Sequence, residues 1–223
     1  MMITLVIIFA LLLDRLFSET PRFHPLVGFG LVADKIEKRL NIGENKKTKG
    51  VIAVALAIAP IVSMALLLEY QLQKSTILGF LFSSVVLYVA IGWRSLILHA
   101  KRISTPLARG QIEEARLAVS MIVSRDTDTI GESDIAKAAT ESVLENGADA
   151  IFSAIFWFCI LGVPGVILYR LSNTLDAMWG YKNNRYKEFG WAAARFDDIL
   201  NFIPARLTAL GYSLLGDTRL ALQ

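Results

Sequence analysis

Six consecutive residues, Ser124-Arg125-Asp126-Thr127-Asp128-Thr129, hold two carboxylates, a guanidinium and three hydroxyls. Hard cations such as Mg²⁺ take oxygen ligands, usually one or two carboxylates together with substrate phosphates. An arginine clamps phosphate or carboxylate through two parallel hydrogen bonds. The same composition also suits a solvated loop with a capping aspartate. Further on, Glu141, Glu145 and Asp149 recur every four residues, with Thr140 and Asn146 beside them. That spacing puts the three carboxylates on one helical face. Like charges four apart weaken a helix, so the stripe is either a solvated face or a metal or ammonium site.

Two more polar sets follow. Asn173 and Asp176 lie one helical turn apart, directly after an apolar run, and Tyr181, Asn183, Asn184, Arg185 and Tyr186 come next. Arg195, Asp197, Asp198, Asn201 and Arg206 mark the entry to another apolar stretch, and Arg195 and Asp198 are spaced to pair. Polar groups at membrane depth are costly and mark sites or wet cavities; an interfacial loop with a dipole-favoured acidic pair fits the same residues. His24, between Phe23 and Pro25, fits a hydrogen-bonded loop histidine or a base, and His99 fits a structural role. Neither GxxxxGK[ST] nor GxGxxG occurs, so a nucleotide here is not held by those loops.

The elements that must carry these residues are apolar. The 223 residues are 54% hydrophobic and 19% charged, with mean hydropathy +0.50. This excludes a disordered chain, a nucleic-acid-binding tail and most soluble domains. Residues 2–16 read as a short or tilted membrane helix ending in charge. Residues 20–33, with Pro21, Pro25, Gly28 and Gly30, read as an ordered loop or re-entrant piece, and 34–49 as a basic linker. Residues 50–68 and 76–93 are uncharged and long enough to span. Residues 94–149 read as a cytoplasmic helical segment, with helices near 94–103, 110–123 and 132–148, the last capped by Ser133 or Asp134. Residues 150–169 are apolar but broken at Gly162-Val163-Pro164-Gly165, which allows a kinked span or a hairpin entering and leaving one side. Residues 199–215 give a last membrane helix.

The fold class is therefore an all-α integral membrane protein with about three to five membrane-embedded helices, one able to re-enter, and a cytoplasmic helical layer. The whole chain, 1–223, reads as one domain. Basic flanks put residues 34–49 and the segment from Arg94 in the cytoplasm, and 69–75 outside, in a cytoplasmic (inner) membrane. The lone cysteine, Cys159, makes neither an internal disulfide nor a zinc site.

In order, Asp14, PRFHP at 21–25, SRDTDT at 124–129, TESVLEN at 140–146, NTLDAMWGYKNNRY at 173–186, FGWAAARFDD at 189–198 and IPARLTA at 203–209 resemble the CobD/CbiB family over nearly the whole chain. The resemblance implies a membrane enzyme of cobalamin biosynthesis. Such an enzyme joins aminopropanol, or its phosphate, to a propionate of adenosylcobyric acid as an amide, using ATP and Mg²⁺. It implies Asp126, Asp128, Glu141 and Glu145 as catalytic carboxylates and Mg²⁺ ligands. It implies Arg125, Arg185 and Arg195 as clamps for phosphate or propionate, and Asn173, Asp176, Asp197 and Asp198 as contacts to corrin amides or the amine. His24 joins the substrate-binding set. The partners are the corrinoid, the amine and the bilayer, with a homo-oligomer allowed and no nucleic acid.

Two departures from the family pattern are visible. Ser18-Glu19-Thr20 stands where members carry Gly-Asp-Pro, and members continue beyond position 223 with a Ser-Pro-Asn-Ala-Gly stretch. A non-catalytic AmpE-like membrane sensor is the alternative, and a transporter a third; the polar sets at 124–129 and 140–146 favour the enzyme.

Overall fold

Every element of this computed structural model is helical among the residues it describes, which are 2–17, 24–123, 127 and 129–215. The order is α1 (Met2–Leu16), α2 (Pro25–Leu40), α3 (Lys46–Leu72), α4 (Thr76–Ala90), α5 (Trp93–Ala108), α6 (Ile112–Ser120) and α7 (Glu132–Gly147). A π-helical segment (Ala148–Ser153), α8 (Ala154–Trp179) and α9 (Trp191–Leu215) complete it. Among the described residues three stretches are long and apolar enough to cross a bilayer: Lys46–Leu72, Thr76–Ala108 and Glu132–Trp179. The protein is an all-α membrane protein. α3 turns its apolar side chains outward, with Leu56, Met64 and Leu67 more than half exposed, while Ala53, Ala57 and Ala65 are buried. Large residues facing lipid and small ones facing neighbouring helices is the packing expected where lipid, not water, is the solvent.

α1 has 15 residues, which gives about 22 Å of helix, short for a span. It packs along α4 and turns Leu5, Ile8 and Leu12 outward. Its end is tied to α5 reciprocally. The fully buried Asp14 accepts the backbone N–H of Arg94 through Oδ2 at 2.8 Å. Arg94 in turn donates Nη1 to the carbonyls of Arg15 and Leu16 at 2.7 and 3.1 Å. Each helix terminus thereby supplies what the other lacks.

The loop expected over 20–33 is instead largely helix. α2 starts at Pro25, a residue preorganised for a first helical position. His24 caps it: Nδ1 accepts the N–H of Leu26 at 3.3 Å, so Nε2 carries the proton and donates to the carbonyl of Val89 at 3.2 Å. Gly28 and Gly30 are absorbed into the helix. The basic linker shortens to the residues between Leu40 and Lys46.

The break in 150–169 reverses the chain. Gly162 has φ 64° and ψ −146°, a conformation nearly restricted to glycine. A Cβ on Gly165 would collide with the backbone carbonyl of Trp157. In a continuous helix those residues would lie about 12 Å apart along the axis. α8 is therefore two antiparallel arms, and contacts between positions 149 and 173, 153 and 169, and 157 and 165 pair across them. Pro164 sits in the first turn of the returning arm, where its missing N–H is harmless. Glu69, at the end of α3, accepts the Val163 N–H at 3.1 Å.

α5, α6 and α7 form a separate polar layer around Ile103, Ala115, Val119, Ile135 and Ala138. α7 begins after Gly131 with no side-chain cap, not at Ser133 or Asp134. α9 starts at Trp191, earlier than the expected 199, and exposes Ile199, Phe202, Ile203, Leu207 and Leu210.

Candidate functional site

The hairpin brings residues far apart in sequence to one place. Asp149 and Ser153 come from the π-helical segment, Tyr169 and Asn173 from the returning arm, and Asp197 and Asn201 from α9. Asn201 is the hub. Its Oδ1 accepts from Ser153 Oγ and from Tyr169 Oη, both at 3.0 Å. Its Nδ2 donates to Asp197 Oδ2 at 3.0 Å. The opposite amide orientation would set a carbonyl against a carboxylate, so the surroundings fix this one. Trp157 Nε1 donates to the carbonyl of Leu200 at 3.1 Å and seats α9 on the hairpin. Asn173 and Tyr169 lie close to the Asp149 carboxylate.

The charge balance is acidic. Asp149, Asp176 and Asp198 all lie near enough to bear on Asp197, and Glu145 and Arg170 bear on Asp149. Arg195 is engaged in an exposed pair with Asp198 at 3.3 Å, the i,i+3 pairing that the sequence suggests. Only 8% of Asp197 is exposed, and its Oδ1 makes no hydrogen bond among the described residues. A π-helical insertion is itself a common companion of functional sites, and here it carries Asp149 toward the returning arm.

Beside this cluster is a cavity of about 360 Å³ between α5, α7 and α8, within the size range of small-ligand pockets. Its polar lining includes Ser95, His99, Ser142, Asn146 and Arg170. His99 is held by Ser95 O at 2.8 Å. Arg170 serves both the cavity wall and the neighbourhood of Asp149.

Asn173, Asp176 and Asp197 are thus brought together, with Asp198 on the exposed side. Glu141 and Glu145 share the exposed face of α7 that leads to Asp149. Arg125, Asp126 and Asp128 lie outside the described residues. Their neighbour Thr127 is buried, and Arg116 Nε fixes the adjoining carbonyl of Ile130 at 2.9 Å. No group of three or more His, Cys, Asp or Glu side chains among the described residues is arranged to hold a metal ion.

Two candidates have structural partners. His24 uses both ring nitrogens at the start of α2. Arg185 grips the buried Glu37 with Nε at 3.0 Å and Nη2 at 2.7 Å, and Asn41 holds its carbonyl at 3.0 Å. This ties the 180–190 turn to α2. The Arg185 hydrogen bonds, acting against burial, hold the Glu37 carboxyl below its ordinary range.

Asp149, from the acidic stripe, and Asn201, from the polar set at the entry to the last apolar stretch, are residues the sequence singles out; Tyr169, Arg170 and Ser142 enter the site from outside those sets, and His99, read as structural, lines the cavity. Arg170 carried one usable signal, a charge at the end of an apolar run. The Asn201 hub is a tertiary arrangement with no local pattern.

Fold and site define a membrane-embedded all-α protein with a reversed helical hairpin whose base gathers carboxylates, amides and one arginine next to a polar cavity. The chain belongs to the CobD/CbiB family: the family model described as "CobD/Cbib protein" matches residues 7–223. It is 52% identical over 225 residues to the cobalamin biosynthesis protein CobD of Stutzerimonas stutzeri, covering 100% of this chain and 73% of that protein. It is 51% identical over 214 residues to the CobD protein of Chromobacterium violaceum, covering 93% and 67%. A probable CobD protein of Pyrococcus furiosus is 39% identical over 209 residues, covering 93% and 71%. The chain thus spans about two thirds to three quarters of these relatives' lengths. No solved structure matches it.

Proposed function

We propose that this protein acts in cobalamin biosynthesis, forming an amide between a propionate of adenosylcobyric acid and aminopropanol or its phosphate, with ATP consumed. The observation that carries the reading is the juxtaposition of Arg170 and Asp149 between a polar cavity and an acidic cluster. Amide formation from a carboxylate and an ammonium needs opposite electrostatics side by side: a cation for the carboxylate or phosphate, and carboxylates for the amine and its proton.

In this reading the propionate oxygen attacks the terminal phosphorus of ATP, giving an acyl phosphate and ADP. The amine nitrogen then attacks the acyl carbon, inorganic phosphate leaves, and a carboxylate takes the proton. Arg170 stabilises the anionic oxygens. Asn146, Ser142 and His99 line the same cavity and orient what enters it. A corrin ring system far exceeds about 360 Å³, so the cavity receives one arm and the macrocycle lies outside it.

Nucleotide-borne Mg²⁺ needs only one or two protein carboxylates, and Glu141 and Glu145 on α7 fit that donor chemistry, with Asp126 and Asp128 in the adjoining segment. When bound it would withdraw charge from the transferred phosphate. The basic residues Lys46, Lys47, Lys49, Arg94, Lys101 and Arg102 support a cytoplasmic site side by the positive-inside rule.

The test is ADP release by the protein in detergent. The reading expects release only when both the corrinoid and the amine are present. Release that is indifferent to either substrate would overturn it.

A further inference from the structure

The carboxylates at the hairpin base outnumber the cations around them. Asp149 and Asp176 both bear on Asp197 electrostatically, and Arg170 is the cationic neighbour of Asp149. Arg195 pairs with Asp198 in the open, and Arg185 is engaged with Glu37. An acidic cluster alone would say little. Here a second feature points to a ligand: Asp197 is only 8% exposed, yet its Oδ1 has no partner among the described residues. Its other oxygen is fixed by Asn201, and Asn201 is itself pinned to both arms of the hairpin by Ser153 and Tyr169. Oδ1 is thereby held at the hairpin base, away from the apolar outer face of α9. Ser172 lies on the same arc of the returning arm as Tyr169, Asn173 and Asp176, and its Oγ is buried and equally without a partner among the described residues.

A bare divalent ion does not suit the place, because no three of the described carboxylates converge at ligating distance. A group carrying three N–H donors does suit acceptors spread around it, and it restores the missing positive charge. We propose that Asp197 Oδ1 and Ser172 Oγ accept the primary ammonium of a small organic amine, with Asp149 and Asp176 supplying negative charge around it. Resting on the function proposed above, this seat takes the aminopropanol nitrogen. The nitrogen then faces Arg170, where the activated carboxyl group arrives, and the carbon chain points away from it. A hydroxyl of similar size could donate to the acceptor but would leave the surplus negative charge uncompensated, so the seat is matched to an ammonium.

The experiment is calorimetric titration of the purified protein in detergent with aminopropanol, and separately with 1,2-propanediol, which has no ammonium. Amine KM and kcat are measured in parallel. Expected are binding of aminopropanol, no binding of propanediol, and at least a tenfold loss of amine affinity in Asp197→Asn and Asp149→Asn. Corrinoid binding, followed by absorbance, should stay within twofold and certifies the fold. If Asp197→Asn does not fold, Asp176→Asn at the half-buried rim must show the same loss. Unchanged amine affinity in these variants, or equal binding of propanediol, overturns the seat. If the wild type makes the amide while the variants keep its amine KM, the seat is wrong and the proposed function stands. If the wild type binds the amine through these residues but makes no amide, the seat stands and the function falls.

Discussion

Glu69 accepts a hydrogen bond from the backbone N–H of Val163 at 3.1 Å, across a sequence separation of 94 residues. It is a charged cap on a half-helix, placed where the chain reverses. The first N–H groups of a helix have no internal partner, and here a side chain from another helix supplies one. The carboxylate satisfies Val163 and favours the positive end of the returning arm. Glu69→Ala is expected to cost about 1 kcal/mol, the usual loss on removing a cap. Its melting temperature in detergent should fall below that of Glu69→Gln, which keeps an acceptor. Equal melting of both variants and the wild type would show that the contact carries no stability.

Gly162 is the second component of the turn. Its φ of 64° with ψ of −146° costs a residue with a side chain on the order of 1–3 kcal/mol. A Cβ there would also press on Glu69 Oε1 at 2.7 Å. Gly162→Ala should lower both folding yield and turnover, because the turn sets the register that pairs Asp149 with Asn173. The measurement is recovery of monodisperse protein by size-exclusion chromatography, with turnover per folded molecule. Normal values for both would remove the hairpin from the explanation of the site.

Arg170 faces both the cavity and the acidic cluster. Arg170→Gln should reduce kcat/KM on the order of tenfold to a hundredfold, the loss of one charged hydrogen bond at about 1.5–3 kcal/mol. The loss should fall on kcat and on the corrinoid, with the amine KM little changed. A defect confined to amine KM would contradict the division of roles.

The Glu37–Arg185 pair predicts a sign with pH. Arg185 holds the Glu37 carboxyl below its ordinary range. The folded state therefore binds its proton more weakly than the unfolded chain does. The pair's stabilising contribution is complete above the ordinary carboxylate range and is lost as pH falls through the lowered folded value. Limited proteolysis at the 180–190 turn should accelerate on acidification in the wild type. In Arg185→Ala it should be fast already at neutral pH and less pH-dependent. Identical profiles would detach the turn from this pair.

Much of the fold is visible in local pattern. The uncharged runs at 50–68 and 76–93 become α3 and α4, and the amphipathic stretches within 94–149 become α5, α6 and α7. Gly162-Val163-Pro164-Gly165 admits two outcomes from sequence, a kinked span or a reversal. The reversal is capped by Glu69, which no local window contains. α2 is hidden because Pro25 and two glycines read as breakers, although a proline in the first turn with a histidine cap starts a helix well. Asn173, Asp176 and Asp197 stand out through charge next to apolar runs. Asp149 pairs with Asn173 through tertiary structure, and Asn201 becomes the hub only when three elements meet. Arg185 has the composition of a substrate clamp, and only the packing of α2 reveals Glu37 as its partner.

The most direct measurement uses adenosylcobyric acid labelled with ¹⁸O in the reacting carboxylate. The purified protein in detergent is given this corrinoid, aminopropanol phosphate, ATP and Mg²⁺. The corrinoid product and the released phosphate are then weighed by mass spectrometry. Expected is one new amide per ADP formed, with one ¹⁸O in the inorganic phosphate, since the acyl oxygen leaves with the phosphoryl group. A well-folded protein that binds the corrinoid yet yields no amide, or an amide formed without transfer of label to phosphate, would contradict the proposed reaction.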